Sequence, residues 1–224
     1  MDSNYLLPNY LRDSPLDKCN KKTCSCISLP THWNPDDCGP CIVIVDEKKL
    51  IVKHSGPGTD PIEPVSIRAN NHIPPEVGLY YFETTIINRG DRGYIGIGLS
   101  KPGTPLDKMP GWVLDTIGYH GDNGRLYRER ERGVNFGPLY TTGETVGCGI
   151  NFFDTEIFFT KNGILLGKEL SFKLEEKIYP TCGMASPNES ILVNFGSEPF
   201  KFPIDLYAKR IFSKAKKHKM AILE

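Results

Sequence analysis

The chain has 224 residues with 18 proline, 22 glycine and equal numbers (27 each) of basic and acidic side chains. That length accommodates one large domain with tails, and the proline and glycine content favours many turns over long helices. A formal net charge of zero removes the global basic field expected of a nucleic-acid binder, and no apolar run approaches the roughly 20 residues that span a bilayer.

Residues 1–28 are polar and aperiodic and read as a cysteine-containing, partly flexible extension. They lack a basic stretch followed by an apolar one, so no secretory signal is expected. With seven cysteines, an odd number, this favours a reducing, cytoplasmic setting. Cys19, Cys24, Cys26, Cys38 and Cys41 cluster around His32, a set that could close a tetrahedral zinc site. The Cys24-Ser-Cys26 spacing is tight for that purpose, and uncoordinated thiols are the simpler reading. Cys38-Gly-Pro-Cys41 spells a dithiol redox signature, but such chemistry needs its first cysteine at a helix N-terminus. Here the motif runs into Ile42-Val-Ile-Val, a strand.

Residues 41–46 and 50–54 predict a hairpin, and residues 65–69 a short strand. Residues 78–100 read as a longer hairpin turned at residues 88–93, with Ile95, Ile97 and Leu99 on one face and Gly96 and Gly98 on the other. Residues 101–124, dense in glycine and proline, predict mostly loop, and a short strand begins at Arg125. Residues 145–153 and 156–161 predict a second hairpin, and Asn162-Gly163 a type I′ turn into residues 164–167. Val146, Cys148, Ile150 and Phe152 share one face of that strand and Gly147 and Gly149 the other. Paired bare glycines predict flat patches for aromatic rings, with Trp112 and Tyr119 as candidates, although Trp112 also reads as a core residue. Strands at residues 178–184 and 190–195 complete an all-β pattern of the sandwich kind. Residues 205–224 are the one predicted helix, with Leu206, Ile211 and Phe212 as its apolar positions and a run of lysines at its end. That run reads as a solvated tail, with a nuclear-import signal or an electrostatic patch as alternatives.

No catalytic constellation assembles from these elements. His120 near Asp122 suggests a base and its orienter, but strand alternation sends Cys148, the conceivable nucleophile, to a core face. Gly96-Ile-Gly98 is followed by Ser100-Lys-Pro-Gly, which cannot open the helix a phosphate cradle needs.

Leu29-Pro30-x-x-Trp33, Val65-Ser-Ile-Arg-Ala69, Gly93-Tyr-Ile-Gly-Ile-Gly-Leu-Ser100, Pro110-Gly-Trp112, Gly118-Tyr-His-Gly-Asp-Asn-Gly124, Thr142-Gly-Glu-Thr-Val-Gly-Cys148, Phe159-Thr-Lys-Asn-Gly163, Tyr179-Pro180 and Asn194-Phe-Gly196 occur in order. Together they resemble a SPRY domain, most nearly its Ran-binding protein M-like branch, over about residues 29–207. The resemblance implies a bent, two-sheet antiparallel β-sandwich, preceded by the extension at 1–28 and followed by a basic tail at 208–224. It implies a monomeric, non-enzymatic, cofactor-free and metal-free module that binds a short extended peptide segment of a partner protein. Nucleic acid and membrane are not expected as partners. The role implied is that of an adaptor or scaffold, including substrate recruitment to a multisubunit ubiquitin ligase. Members of that branch continue into helical LisH and CTLH modules, for which no room remains before Glu224. A secreted single-SPRY effector acting on host proteins is the alternative within the family, and a cysteine-based zinc or redox protein the alternative outside it. By resemblance, Arg68, Ala69, Asn70 and Asn71 form one wall of the peptide site with Tyr80 beneath. Tyr119, His120, Asn123, Pro187 and Asn188, on two further loops, close the rest.

Overall fold

Two seven-stranded antiparallel sheets face one another in the computed structural model, which describes residues 7–12, 14–15, 27–56, 62–129, 132–169 and 177–221. The strands are β1 (Trp33–Cys38), β2 (Ile42–Ile44), β3 (Ile51–His54), β4 (Val65–Ala69), β5 (Leu79–Arg89), β6 (Ile95–Ser100), β7 (Thr116–His120), β8 (Arg125–Arg128), β9 (Val134–Asn135), β10 (Thr145–Asn151), β11 (Glu156–Lys161), β12 (Ile164–Glu169), β13 (Tyr179–Met184) and β14 (Glu189–Asn194). The first sheet runs β1-β4-β13-β6-β7-β8-β9 and the second β12-β11-β10-β5-β14-β3-β2. A single α-helix, α1 (Ile204–Ala221), closes the described chain.

The hairpins at residues 41–54, 145–161 and 156–169 form as expected, the last through Asn162 and Gly163, both at positive φ. The one expected over residues 78–100 does not. Both edges of β5 are occupied, by β10 and β14, so the chain leaves the second sheet at Arg89 and enters the first at Ile95. Gly90 and Gly93, at φ of 60° and 71°, make that crossing. Three further strands escaped the sequence pattern, the two-residue β9 among them. β7 lies inside the stretch expected to be loop, and β1 is an edge strand that tolerates Pro35.

Between the sheets, Trp33 and Phe82 pack on Phe195 at ring distances of 5.4 and 5.9 Å, and Tyr119 packs on Phe136, Tyr140 and Phe159. Cys148 and Cys182 lie fully buried in this core. Burial of each thiol in apolar surroundings pushes its pKa upward.

Each sheet also carries a second layer on its outer face. On the second sheet, Tyr81 and Phe158 stack at 5.8 Å across the bare Gly149, and Tyr10, Phe200, Phe202 and Tyr207 pack around them. The aromatics on this glycine patch thus come from neighbouring strands and chain ends, not from Trp112 or Tyr119. The N-terminal segment takes part: Tyr10 and Leu11 are buried, and the Tyr10 hydroxyl donates to the Tyr81 carbonyl and accepts from the Tyr81 amide. In α1, Ile204, Ala208 and Ile211 face the body and Leu206 points outward, 59% exposed. On the first sheet, Met109 and Pro110 lie on Gly96, Gly118 and Gly183, where a Cβ would meet them at 3.2 Å or less.

Candidate functional site

Strand register sorts the loops of the sandwich into two ends. β4 ends at Ala69, β6 at Ser100 and β8 at Arg128, while β13 and β7 run the other way. Residues 70–71, 101–104 and 129 therefore share one end. Residues 63–64, 93–94, 121–124 and 185–188 share the other. The ten candidate residues divide the same way, so they do not form one surface.

At the first end the side chains hold the fold. Arg68 is 3% exposed, with Nε and Nη2 both donating to the Asp37 carboxylate at 2.7 Å and Nη1 to the Thr104 hydroxyl at 2.6 Å. This fork ties β1, β4 and the loop after β6 together. Asn70 Oδ1 accepts from the Thr31 and His32 amides and Asn71 Nδ2 donates to the Leu29 carbonyl, clamping the chain that leads into β1. Ala69 and Tyr80 are wholly buried.

A cleft of about 840 Å³ opens beside them, walled by Pro102, Thr104, Pro105, Trp112 and Leu114, with Arg132 on its rim. Trp112 is half-buried rather than wholly core, backed by His120 and Tyr127 at 6.0 and 6.5 Å. Neither composition nor spacing pointed to this cleft. It exists because the proline-rich loop folds back over the glycines of the first sheet.

At the second end, buried polar groups fix exposed loops. Glu189 is inaccessible to solvent. Its carboxylate accepts the Ala185 and Ser186 amides at 2.8 and 2.9 Å, the Ser186 hydroxyl at 2.5 Å, and the backbone of Tyr94. Burial raises its pKa, and these hydrogen bonds pull it back. The Pro187 carbonyl lies against Gly90, and the Asn188 amide donates to the His54 carbonyl. His54 is buried, and its Nδ1 accepts from the Gly56 amide. Its Nε2–H therefore donates to the Glu63 carbonyl at 3.1 Å. One imidazole thus pins residues 56 and 63. His54, Ile62, Glu63, Arg92, Ala185, Ser186 and Pro187 surround a shallow depression here. Asn123 is exposed and donates to the Tyr127 hydroxyl, and Asn188 is exposed at a φ of 64°. Glu189 and His54 were not singled out from sequence. A lone carboxylate or imidazole at a strand end carries no signal of what it caps.

Two further candidates lie beneath this end. Tyr119 is fully buried, its hydroxyl donating to the Pro138 carbonyl, and burial raises its pKa. His120 is 2% exposed and donates from Nε2 to the Pro110 carbonyl at 2.8 Å. That bond leaves Nε2 occupied by Pro110, with Trp112 and Tyr127 against the ring. Cys148 lies on β10 of the other sheet.

Cys19, Cys24 and Cys26 lie outside the described residues. Among the described ones, no group of three or more histidine, cysteine, aspartate or glutamate side chains is placed to hold a metal. Burial and the neighbouring Asp37 raise the Cys38 pKa to about 11, far from that of a reactive thiolate. Ile42 closes a turn on Gly39 and leads straight into β2. Among the described residues no helix is long and apolar enough to cross a membrane.

The SPRY domain family model matches residues 79–198. The chain is 42% identical over 176 residues to the Ran-binding proteins 9/10 homolog of Drosophila melanogaster, covering 78% of this chain and 18% of that one. It is 39% identical over 181 residues to human Ran-binding protein 9 (81% and 25%) and 37% over 179 to the Ran-binding protein M homolog of Arabidopsis thaliana (80% and 38%). The chain thus spans less than two fifths of these relatives. A crystal structure of a human SPRY domain superposes with a TM-score of 0.63 at 31% identity, covering 71% of this chain and 98% of that one. The SPRY domain of human HERC1 superposes at 0.59 with 19% identity, over 75% and 99%.

Two outcomes follow from this geometry. Arg68→Ala should lower unfolding free energy by roughly 3 kcal/mol, the low end for breaking a buried ion pair, because Asp37 keeps 30% of its side-chain surface. Urea denaturation checks this, and a loss under 1 kcal/mol (about the value of an exposed pair) would show that the fork holds nothing. Burial lowers the His120 pKa from 6.5 to about 4. Its folded pKa lies below the unfolded one, so its contribution is complete above pH 6.5 and is lost as pH falls toward 4. That shift corresponds to about 3 kcal/mol. Denaturation at neutral pH and near pH 4 should show the native chain losing about that much more than His120→Gln. Equal losses would clear His120 of the effect.

Proposed function

The chain belongs to the SPRY family, and we propose that it captures a short extended segment of a partner protein on the end built from residues 54–56, 62–63, 89–94, 121–124 and 185–188. SPRY domains are generally protein–protein interaction modules. The observation that carries the choice of this end is the buried Glu189 carboxylate. It fixes the backbone of residues 185–186 and of Tyr94 while leaving Pro187 and Asn188 at the surface. A loop held before the partner arrives loses less conformational freedom on binding.

The parts suit an extended peptide. Pro187 and Ile62, the latter 37% exposed, offer apolar anchors, and the Asn123 and Asn188 amides supply donors and acceptors for a peptide backbone. Arg92, stacked over the Tyr94 ring at 6.0 Å, adds a positive charge. In this reading Tyr119 and His120 support the loops from beneath. Arg68, Ala69, Asn70, Asn71 and Tyr80 maintain the opposite end.

As the finer role we take that of a non-catalytic adaptor, with recruitment of substrate to a multisubunit ubiquitin ligase as the form the resemblance implies. The four described cysteines Cys38, Cys41, Cys148 and Cys182 are free thiols, which supports the cytoplasmic or nuclear setting we assign.

Selection from a displayed peptide library against the 224-residue chain should return a consensus ligand. Ile62→Asp and Pro187→Asp should each weaken it at least tenfold while Tm stays within a few degrees, the loss expected when an interface anchor is removed. If both variants keep full affinity and Trp112→Ala loses it, binding belongs to the cleft at the opposite end and the proposed surface is wrong.

A further inference from the structure

Helix α1 carries a concentrated positive charge that Asp205 in its first turn and Asp154 beside Lys214 offset only in part. Residues 206–221 contain Lys209, Arg210, Lys214, Lys216, Lys217 and Lys219 and no acidic side chain. Since the whole chain is neutral, the remainder carries six more acids than bases. The last ring contact of the helix with the body is Phe212 against Phe153. Just beyond it, Lys214 donates to both oxygens of Asp154 at 2.9 and 3.0 Å. Lys209, Arg210, Lys216 and Lys217 are exposed, and none of them has an ion-pair or hydrogen-bond partner among the described residues.

Helical spacing organises these four. Residues seven apart lie nearly above one another, so Lys209 aligns with Lys216 and Arg210 with Lys217. The two rows flank a strip containing the exposed Leu206 and Ser213, opposite the buried Ile204, Ala208 and Ile211. The repeat along each row is about 10 Å.

We propose that this face of α1 docks an acidic segment of a protein partner, independently of the loop end described above. Charge complementarity selects an anion, and the charge distribution selects its size. Exposed charges interact within a Debye length of about 8 Å at physiological salt. A short acidic segment laid along the helix meets the two cationic rows and little else. A nucleic-acid duplex or an anionic bilayer spreads its charge more widely and also faces the net acidic body. Leu206 alone on the strip gives a bilayer little apolar surface to hold.

The test uses the 224-residue chain and a fluorescein-labelled decaglutamate peptide, read by anisotropy at physiological salt, with a 20-base-pair duplex and phosphatidylserine vesicles as competitors. The combined variant K209E/R210E/K216E/K217E should lose at least tenfold in peptide affinity. K48E/K53E/K108E/R125E changes the net charge equally at exposed positions elsewhere and should stay within threefold of native. Circular dichroism checks that both variants keep their fold, and if the helix variant does not, the same positions changed to glutamine replace it. Absence of peptide binding by the native chain overturns the proposal. So do equal losses in the two variants, or displacement of the peptide by duplex or vesicles at lower concentration than by unlabelled decaglutamate.

Discussion

The outer layer on the second sheet depends on two missing side chains. Gly149 lies in register between Tyr81 and Phe158, and Gly147 between Glu83 and Thr160. With no Cβ at 147, the Tyr81 ring can lie along the sheet and bring its hydroxyl between Glu83 and Thr160, at 2.8 and 2.7 Å. A Cβ on Gly147 would stand 2.0 Å from that oxygen. The rest is a chain of consequences. Glu83, oriented by Tyr81, accepts the amides of Lys201 and Phe202, which seats Phe202 against Phe158 and starts α1 at Ile204. Tyr10 then closes over the Tyr81 backbone from the other side. The segments at Tyr10 and at residues 201–202 are thereby attached to one strand, the first through the Tyr81 backbone and the second through Glu83.

The first sheet uses the same device for a different purpose. Its bare positions, Gly96, Gly118 and Gly183, accept backbone and short apolar groups, namely Met109 and Pro110. The Pro110 carbonyl faces inward and accepts a hydrogen bond from His120 Nε2–H, while burial, which would desolvate the cation, keeps the imidazole neutral against the opposing pull of that bond. The loop carrying Trp112 is therefore held down at its middle. Its flanks rise on either side and form the cleft walled by Trp112 and the prolines.

Much of this was legible from residue pattern, and the exceptions share a cause. Alternation in Ile95–Leu99 and Val146–Ile150 gave the inward faces, and Asn162-Gly163 gave its turn, because those signals are local. The hairpin expected across residues 78–100 failed because two adjacent strand patterns do not say whether their edges are free. β5 has β10 and β14 beside it, partners from far along the chain. Trp112 and Tyr119 were natural candidates to cover the glycines, but cross-strand register, invisible without the pairing, put Tyr81 and Phe158 there. The candidate site divided for the same reason. Arg68 lies near the end of β4 and Pro187 follows its neighbour β13, but antiparallel register places them at opposite ends. An arginine on a strand shows its charge in the sequence and conceals its partner, here Asp37.

Division of the loops into two ends bears on how an adaptor of this shape works. The end near Pro187 is where the chain passes between sheets, so residues 89–94 and 185–188 belong to both layers at once. Buried Glu189 and His54 give it fixed backbone without covering its surface. Helix α1 leaves the body beside Asp154, in the turn between β10 and β11, at the opposite end of the same sheet. A partner segment on the loops and an acidic segment on the helix therefore meet no steric conflict. Because the body between them is rigid, the separation of the two surfaces is set by strand length rather than by a linker. Two segments presented by one partner at that spacing would bind with a raised effective concentration, and segments from two partners would be held at a fixed distance.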